Sequence, residues 1–457
     1  MHMSTQNRGE RLNAGRSLKI ALLLCWALSG LRLQAQGDTP EKTESAARPQ
    51  IISFDDNTKL TFLGVTRGKY HVAPRYENLG TGNWIRTPDD ATVVWIEAEH
   101  DPKKWPSFEL LVSDKANYGC VPTEKRSASH VRDGVDIQGF VLNAFPRRDK
   151  ETILRARPYH GAIGEGQFVV ANAPQSSFIN WQAEAVPETK SNGDLEITLT
   201  NLAVGASLPR FPKDPVPGND PANQCVRLAF GLLQNGRSVT NWRPWMVYTS
   251  DATGNRVQSA LRDYPLGGVY HHPTRDNPHP QMLMDGYYYA PGLWPAEPWK
   301  VRMEFTRTSG FNDDEILTFT NLPVRVGTQE DADREWSMDP ATTNLMLTPA
   351  NVSGVRVKAL TPLLFPSQLN NGQKFIRVLI FADFAGAMAN PTSQGLRLKL
   401  LEATDDQGRV VWTSFNPVWA GHFSLEFPHV RDDIKTLSLK LALHRSRFVE
   451  FTVKPTK

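Results

Sequence analysis

A rhythm constrains this chain more than any motif. Short runs alternate apolar and polar residues, favour β-branched side chains, and are cut at intervals by Gly, Asn, Asp and Pro. KLTFLGV (Lys59 to Val65), ATVVWIEAE (Ala91 to Glu99), DLEITLTNL (Asp194 to Leu202), KVRMEFTRT (Lys300 to Thr308), KFIRVLIFADF (Lys374 to Phe384) and FVEFTVKP (Phe448 to Pro455) all follow it. Successive side chains of a strand point to opposite faces, so such runs read as strands with one buried face. Long helical periodicity is nearly absent. The one helix-leaning piece is TQEDADREWSM, Thr328 to Met338, which reads as a short helix or linker between domains. The pattern predicts an all-β, multidomain fold of consecutive β-sandwich domains, immunoglobulin-like or jelly-roll-like.

Composition places the boundaries. A polar lead-in covers 38–49, a first sandwich 50–174, a second 178–328 and a third 340–457, separated by VANAPQSS (Val170 to Ser177) and by the acidic stretch Glu330 to Asp339. The second sandwich is interrupted by LPRFPKDPVPGNDPAN and by VYHHPTRDNPHPQ, both too rich in proline for central strands. Long ordered loops of this kind are where a binding surface is expected. One echo is visible: DLEITLTNLAVG at Asp194 and DEILTFTNLPVRVG at Asp314 place Asn201 and Asn321 in corresponding positions. It reads as convergence on one turn geometry, with duplication as the alternative.

The N-terminus predicts export. Arg8, Arg11, Arg16 and Lys19 precede the twelve-residue apolar run IALLLCWALSGL, which suits a signal-peptide core, whereas a spanning helix needs about 20 residues. Ala35 and Gly37 put small residues three before and one before a cut ahead of Asp38. Residues 1–37 are therefore expected to be a signal peptide, the mature chain to have no membrane span, and the protein to be secreted, periplasmic or on the cell surface. Five of the 51 Lys/Arg and one of the 48 Asp/Glu lie in the leader, leaving 46 and 47. A near-neutral chain without basic clusters has no electrostatic footprint for nucleic acid. Its densest basic spot, FPRRDK at Phe145 to Lys150, reads as a solvated hairpin loop.

Cleavage leaves two cysteines, Cys120 and Cys225. Outside the cytoplasm they are a candidate disulfide, which would constrain the unfolded chain by about 4 to 5 kcal/mol. The alternative is two separately buried thiols.

No HExxH, P-loop, GxSxG, paired CxxC or EF-hand loop is present. Asn312 to Glu315 (NDDE) gathers carboxylates, but adjacent ones in a turn are usually solvated. In GHFSLEFPH, Phe423, Leu425 and Phe427 take one strand face and leave His422, Ser424 and Glu426 on a half-exposed one. VYHHPTRDNPHPQ packs three histidines, but alternation sends His271 and His272 to opposite faces, and prolines lock His279. A stiff polar loop is the plainer reading. A site for a divalent transition metal such as zinc would draw on His271, His272, Asp276, His279 and Asp285, and a metal-dependent hydrolase is then the alternative function.

The aromatics point elsewhere. NWRPW and DGYYYAPGLWPAEPW supply Trp242, Trp245, Tyr287, Tyr288, Tyr289, Trp294 and Trp299 around the loops of the second sandwich. If the three tyrosines are extended, Tyr287 and Tyr289 share the face opposite Tyr288. Rings flanked by polar groups stack on sugars or anchor a protein partner; otherwise they fill the core. The expected protein is thus a non-catalytic binding or structural one without cofactor, recognising an extracellular glycan or protein through Trp242, Trp245, Tyr287, Tyr289, Trp294 and Trp299.

Overall fold

The computed structural model describes residues 50–55, 58–76, 84–100, 108–113, 119–120, 124–132, 134–142, 144–158, 166–172, 178–205, 225–239, 241–260, 282–290, 292–336, 350–352, 354–366, 374–383, 395–411, 418–419, 422–428 and 430–456. These form six sheets and one α-helix, so the fold is all-β and multidomain. No helix among them is long and apolar enough to cross a membrane. The leader and lead-in lie outside the described residues.

The chain divides into two compact units, the first drawn from Met1–Leu110, Pro122–Leu142 and Arg155–Phe168. It holds an antiparallel sheet in the order Gln50–Asp55, Thr58–Val72, Trp84–Glu99, Val135–Leu142, Glu124–Arg132. Val93, Trp95, Ile85, Leu63 and Ile137 pack one face. A buried polar chain runs through the sheet: Trp95 Nε1 donates to Thr66 Oγ1, Thr66 Oγ1 meets His71 Nδ1 at 3.0 Å, and His71 Nε2 meets Thr87 Oγ1 at 3.3 Å. Buried polar groups persist where they find such partners.

The second unit contains two sandwiches. In one, Glu188–Asn192, Leu195–Val204, Cys225–Gln234 and Arg237–Ser238 form a sheet that Met282–Tyr289 joins through Cys225–Gln234. It faces a sheet ordered Arg256–Ala260, Trp242–Asp251, Trp299–Arg307, Arg447–Val453, and Leu199, Phe230, Tyr288, Trp299, Phe305 and Phe451 fill the space between. In the other, Ile316–Pro323, Thr436–Arg445 and Leu396–Asp405 face a seven-stranded sheet centred on Lys374–Asp383. Leu317, Phe319, Val378, Leu425, Leu439 and Leu441 belong to its core.

Strand pairing crosses the boundary that composition draws at 328–340. Ile316–Pro323 lies before it yet pairs with Thr436–Arg445 in the third core. The C-terminal strand Arg447–Val453 pairs back onto Trp299–Arg307 in the second. The chain thus leaves the second sandwich near residue 308 and returns after residue 445. Hydrophobic patterning identifies strands but carries no partner information, so this interleaving is invisible to it. The helix, Gln329–Trp336, is not a linker. Thr328 caps it, its hydroxyl accepting from the Asp331 N–H while the Asp331 carboxylate accepts from the Thr328 N–H, a reciprocal capping box. Its Ala332 is packed against Leu363, Phe365 and Phe375 of the large sheet, and Glu335 pairs with Arg325.

Other expectations change for similar reasons. On the polar face of His422–Pro428, Ser424 is 0% exposed and the half-buried Glu426 pairs with Arg377 at 3.2 Å, while the side chain of His422 lies outside the described residues. FPRRDK is not a solvated loop but a docked one. The Phe145 N–H donates to Asn255 Oδ1, Arg147 donates to the Thr253 carbonyl at 2.6 Å, and Arg148 pairs with Glu297 while stacking over Phe178.

The echo at Asn201 and Asn321 has a structural meaning. In Leu195–Val204 the buried positions are Leu195, Ile197, Leu199 and then Leu202; in Ile316–Pro323 they are Leu317, Phe319 and then Leu322. Both series skip a residue where pairing slips, between Leu199 and Asn201 and between Phe319 and Leu322. Each bulge reverses which parity faces the core.

The outer edge of Arg447–Val453 is sealed by side chains. Lys190 donates to the Glu450 carbonyl and Asn192 to that of Phe448, while Glu184 bonds both backbone groups of Thr452. Unpaired edges invite pairing with other chains, and this one is occupied.

Gly395, at φ +74, enters the Leu396–Asp405 strand, and a Cβ there would lie 2.7 Å from the Phe448 ring. Gly395→Ala is therefore expected to lower unfolding free energy by about 1 to 3 kcal/mol in urea denaturation.

Candidate functional site

The strand Trp242–Asp251 (WRPWMVYTSD) carries the site. Trp242 and Pro244 face the core, as do Val247, Thr249 and Asp251, so the inward parity changes midway. The change falls where Pro244 pairs with Phe305 and Met246 with Glu304, leaving Trp245 opposite no residue. Trp245 is thus the extra residue of a bulge, a device that re-aims side chains. It stands 38% exposed, with the Arg243 guanidinium 5.4 Å from its ring centroid.

The other aromatics singled out by sequence are mostly structural. Trp242 is 5% exposed and flanked by two guanidinium groups, Arg307 at 5.1 Å and Arg447 at 4.7 Å. Trp299 is fully buried and donates from Nε1 to the Trp294 carbonyl at 2.8 Å, with Trp294 itself half-buried. Tyr288 fills the core, its hydroxyl accepting from Thr249, and burial raises its pKa. Tyr287 and Tyr289 pair through their backbones with Arg227 and Cys225, but their side chains lie outside the described residues.

The proposed metal set is not reached by the description. His271, His272, Asp276 and His279 lie outside the described residues, as does the side chain of Asp285. Among the described residues no three His, Cys, Asp or Glu side chains form a group able to hold a metal. The disulfide is corrected: Cys225 is a free, buried thiol whose pKa desolvation raises to about 11, while Cys120 pairs through its backbone with Val112. Spacing along a chain carries no information on proximity, which is what a bridge requires.

Beside Trp245 the outer face of the sheet meets the third sandwich. Alternation in KVRMEFTRT sends Glu304 outward, toward water in a lone sandwich. Instead Glu304 is 0% exposed, accepting from Arg397 Nη2 at 2.5 Å, Ser446 Oγ at 2.6 Å and Tyr248 Oη at 3.0 Å. Burial and the charge of Glu304 push the Tyr248 hydroxyl up to about 12. His444 Nε2 accepts from Thr306 Oγ1 at 2.9 Å and the Arg307 N–H at 3.1 Å, leaving the proton on Nδ1, which has no partner among the described residues. Burial, then the charges of Arg307, Arg397 and Lys399, lower its pKa to about 4. Lys399 donates to the Thr308 carbonyl at 2.7 Å, and its pKa is lowered by burial and then by Arg243.

In the NDDE turn, Asp313 and Asp314 are exposed, but Glu315 is 9% exposed and held by Arg307 and the Asn312 N–H. Its carboxylate is engaged structurally.

Sequence reasoning missed Arg243, Lys399, Glu304, Arg397 and His444. Each occupies the polar phase of an alternating strand, which reads as a solvated face. Only the exposed pair Arg243 and Trp245 had a local signal, the proline between them.

No protein family, curated protein or solved structure matches this chain.

Removing one member of a buried ion pair strands the other charge. Arg397→Met should cost about 3 to 5 kcal/mol in denaturant unfolding, and adding Glu304→Met should recover most of that loss. His444 is neutral in the folded protein and titrates near 6.5 when unfolded, so the unfolded state binds the extra proton between these values. Its contribution is complete above about pH 6.5 and falls away as pH drops toward about 4. Melts across that range should show wild type losing stability more steeply than His444→Gln.

Proposed function

We propose that this chain is an exported, non-catalytic binding protein that recognises an extracytoplasmic glycan through the Trp245 edge of its second sandwich. The observation that carries the reading is Trp245 itself. A bulge turns it out of the core while Trp242 and Trp299 remain within it. An indole held open beside a guanidinium offers an apolar face to a sugar ring and a donor to its hydroxyls. The basic, apolar leader supports export.

The surroundings suit a fixed platform. Trp245 sits on a strand hydrogen-bonded to Trp299–Arg307, which bonds in turn to the C-terminal strand. Binding groups on strands with packed neighbours lose little freedom when a ligand arrives.

A glycan array probed with the mature chain should show binding that Trp245→Ala weakens by roughly tenfold or more, with an unchanged melting temperature. A blank array, or a Trp245→Ala variant that binds like wild type, refutes the proposal.

A further inference from the structure

Among the described residues two neighbouring cations lack a carboxylate partner: Arg243, 5.4 Å from the Trp245 ring centroid, and Lys399, which lies within reach of the Arg243 charge. Arg243 is exposed on the strand that carries Trp245, and Lys399 is half-buried on Leu396–Asp405. Among the described residues neither is within ion-pair distance of an Asp or Glu. Their cationic neighbours are neutralised: Arg307 by Glu315, Arg397 by Glu304 and Arg447 by Asp194. Backbone links hold the two near each other. The Lys399 ammonium donates to the Thr308 carbonyl, and the Thr308 N–H donates to the carbonyl of Asn241, two residues before Arg243. Across the sheet Arg243 is in register with Thr306.

This arrangement costs stability. Arg243 destabilises the charged form of Lys399, which burial already disfavours. Like charges kept together near a surface are relieved by an anion that bridges them. The free edge of a guanidinium stacked on an indole suits a planar carboxylate.

Resting on the reading of Trp245 as a glycan platform, we propose that the ligand is an acidic polysaccharide, with Trp245 stacking on a sugar ring and Arg243 and Lys399 binding the carboxylate of a uronic acid unit. The mature chain has 46 basic and 47 acidic side chains, so this selectivity comes from the local pair and not from bulk attraction. Glu304 and Glu315 lie close by but are held by Arg397 and Arg307 and do not compete for it.

The test is calorimetric titration of the mature chain with polygalacturonate, neutral dextran and poly-L-glutamate, with Trp245 fluorescence as a second readout. Polygalacturonate should bind and dextran should not, with affinity falling as salt is raised. Arg243→Gln and Lys399→Met should each weaken binding about tenfold, equivalent to about 1.4 kcal/mol, whereas Lys399→Arg should retain it. Melting temperatures no lower than that of wild type will show that the variants are folded. Dextran binding that depends on Trp245 but not on Arg243 or Lys399 overturns this inference and leaves the glycan reading standing. Failure of every glycan, on this titration and on an array, overturns both. Poly-L-glutamate bound as tightly as polygalacturonate assigns the site to acidic peptides and also overturns the inference.

Discussion

Glu304 is a carboxylate on the outer face of a strand, and in an isolated sandwich it would be solvated. Here it receives Arg397 from one neighbouring strand, Ser446 from the turn before the last strand, and Tyr248 from its own sheet. Desolvating a carboxylate is expensive unless every lone pair finds a donor. Three donors converge on it, and two of them, Arg397 and Ser446, depend on the path that carries the chain out through Ile316–Pro323 and back through Arg447–Val453. The buried ion pair is weak as a source of net stability and strong as a specifier. Only the register that places Arg397 against Glu304 avoids an unpaired buried charge.

Bulges are the second organising device. The strands at Asn201, Trp245 and Asn321 each slip by a residue, and in each the buried parity changes at that point. Two of these slips keep apolar side chains on the core as the strands bend. The third, at Trp245, turns an indole outward and brings it beside Arg243. One local distortion therefore serves packing in two strands and exposure in another.

The junction is chemically uneven. Arg307, Arg397 and Arg447 each have a carboxylate, and two of them also flank Trp242. His444 is kept neutral among cations and shields its ring against Phe311. Arg243 and Lys399 are the members of this belt whose charge the described residues leave uncompensated, and Arg243 borders the exposed indole. Structural pairing thus accounts for most of the belt, and the remainder coincides with the surface proposed to meet a ligand.

Period-two patterning determined the class of this protein. Alternating runs such as DLEITLTNL and KVRMEFTRT fall in strands, the acidic Thr328 segment forms a helix, and Tyr288 with Trp299 enters the core that aromatic residues so often supply. Local steric and hydrophobic preferences act within a few residues, so sequence alone can report them. It could not report partners. That Ile316–Pro323 belongs with the third core, that Arg447–Val453 closes the second, that Cys225 stays a free thiol and that the polar side of Glu304 is buried all follow from contacts between residues far apart in the chain. Long-range pairing is selected by the whole set of packed faces and neutralised charges at once. For that reason only the tertiary structure separated Trp245 from the buried Trp242 and Trp299 that the sequence had named with it, and singled out Arg243 and Lys399 from side chains that in sequence look like ordinary members of a polar strand face.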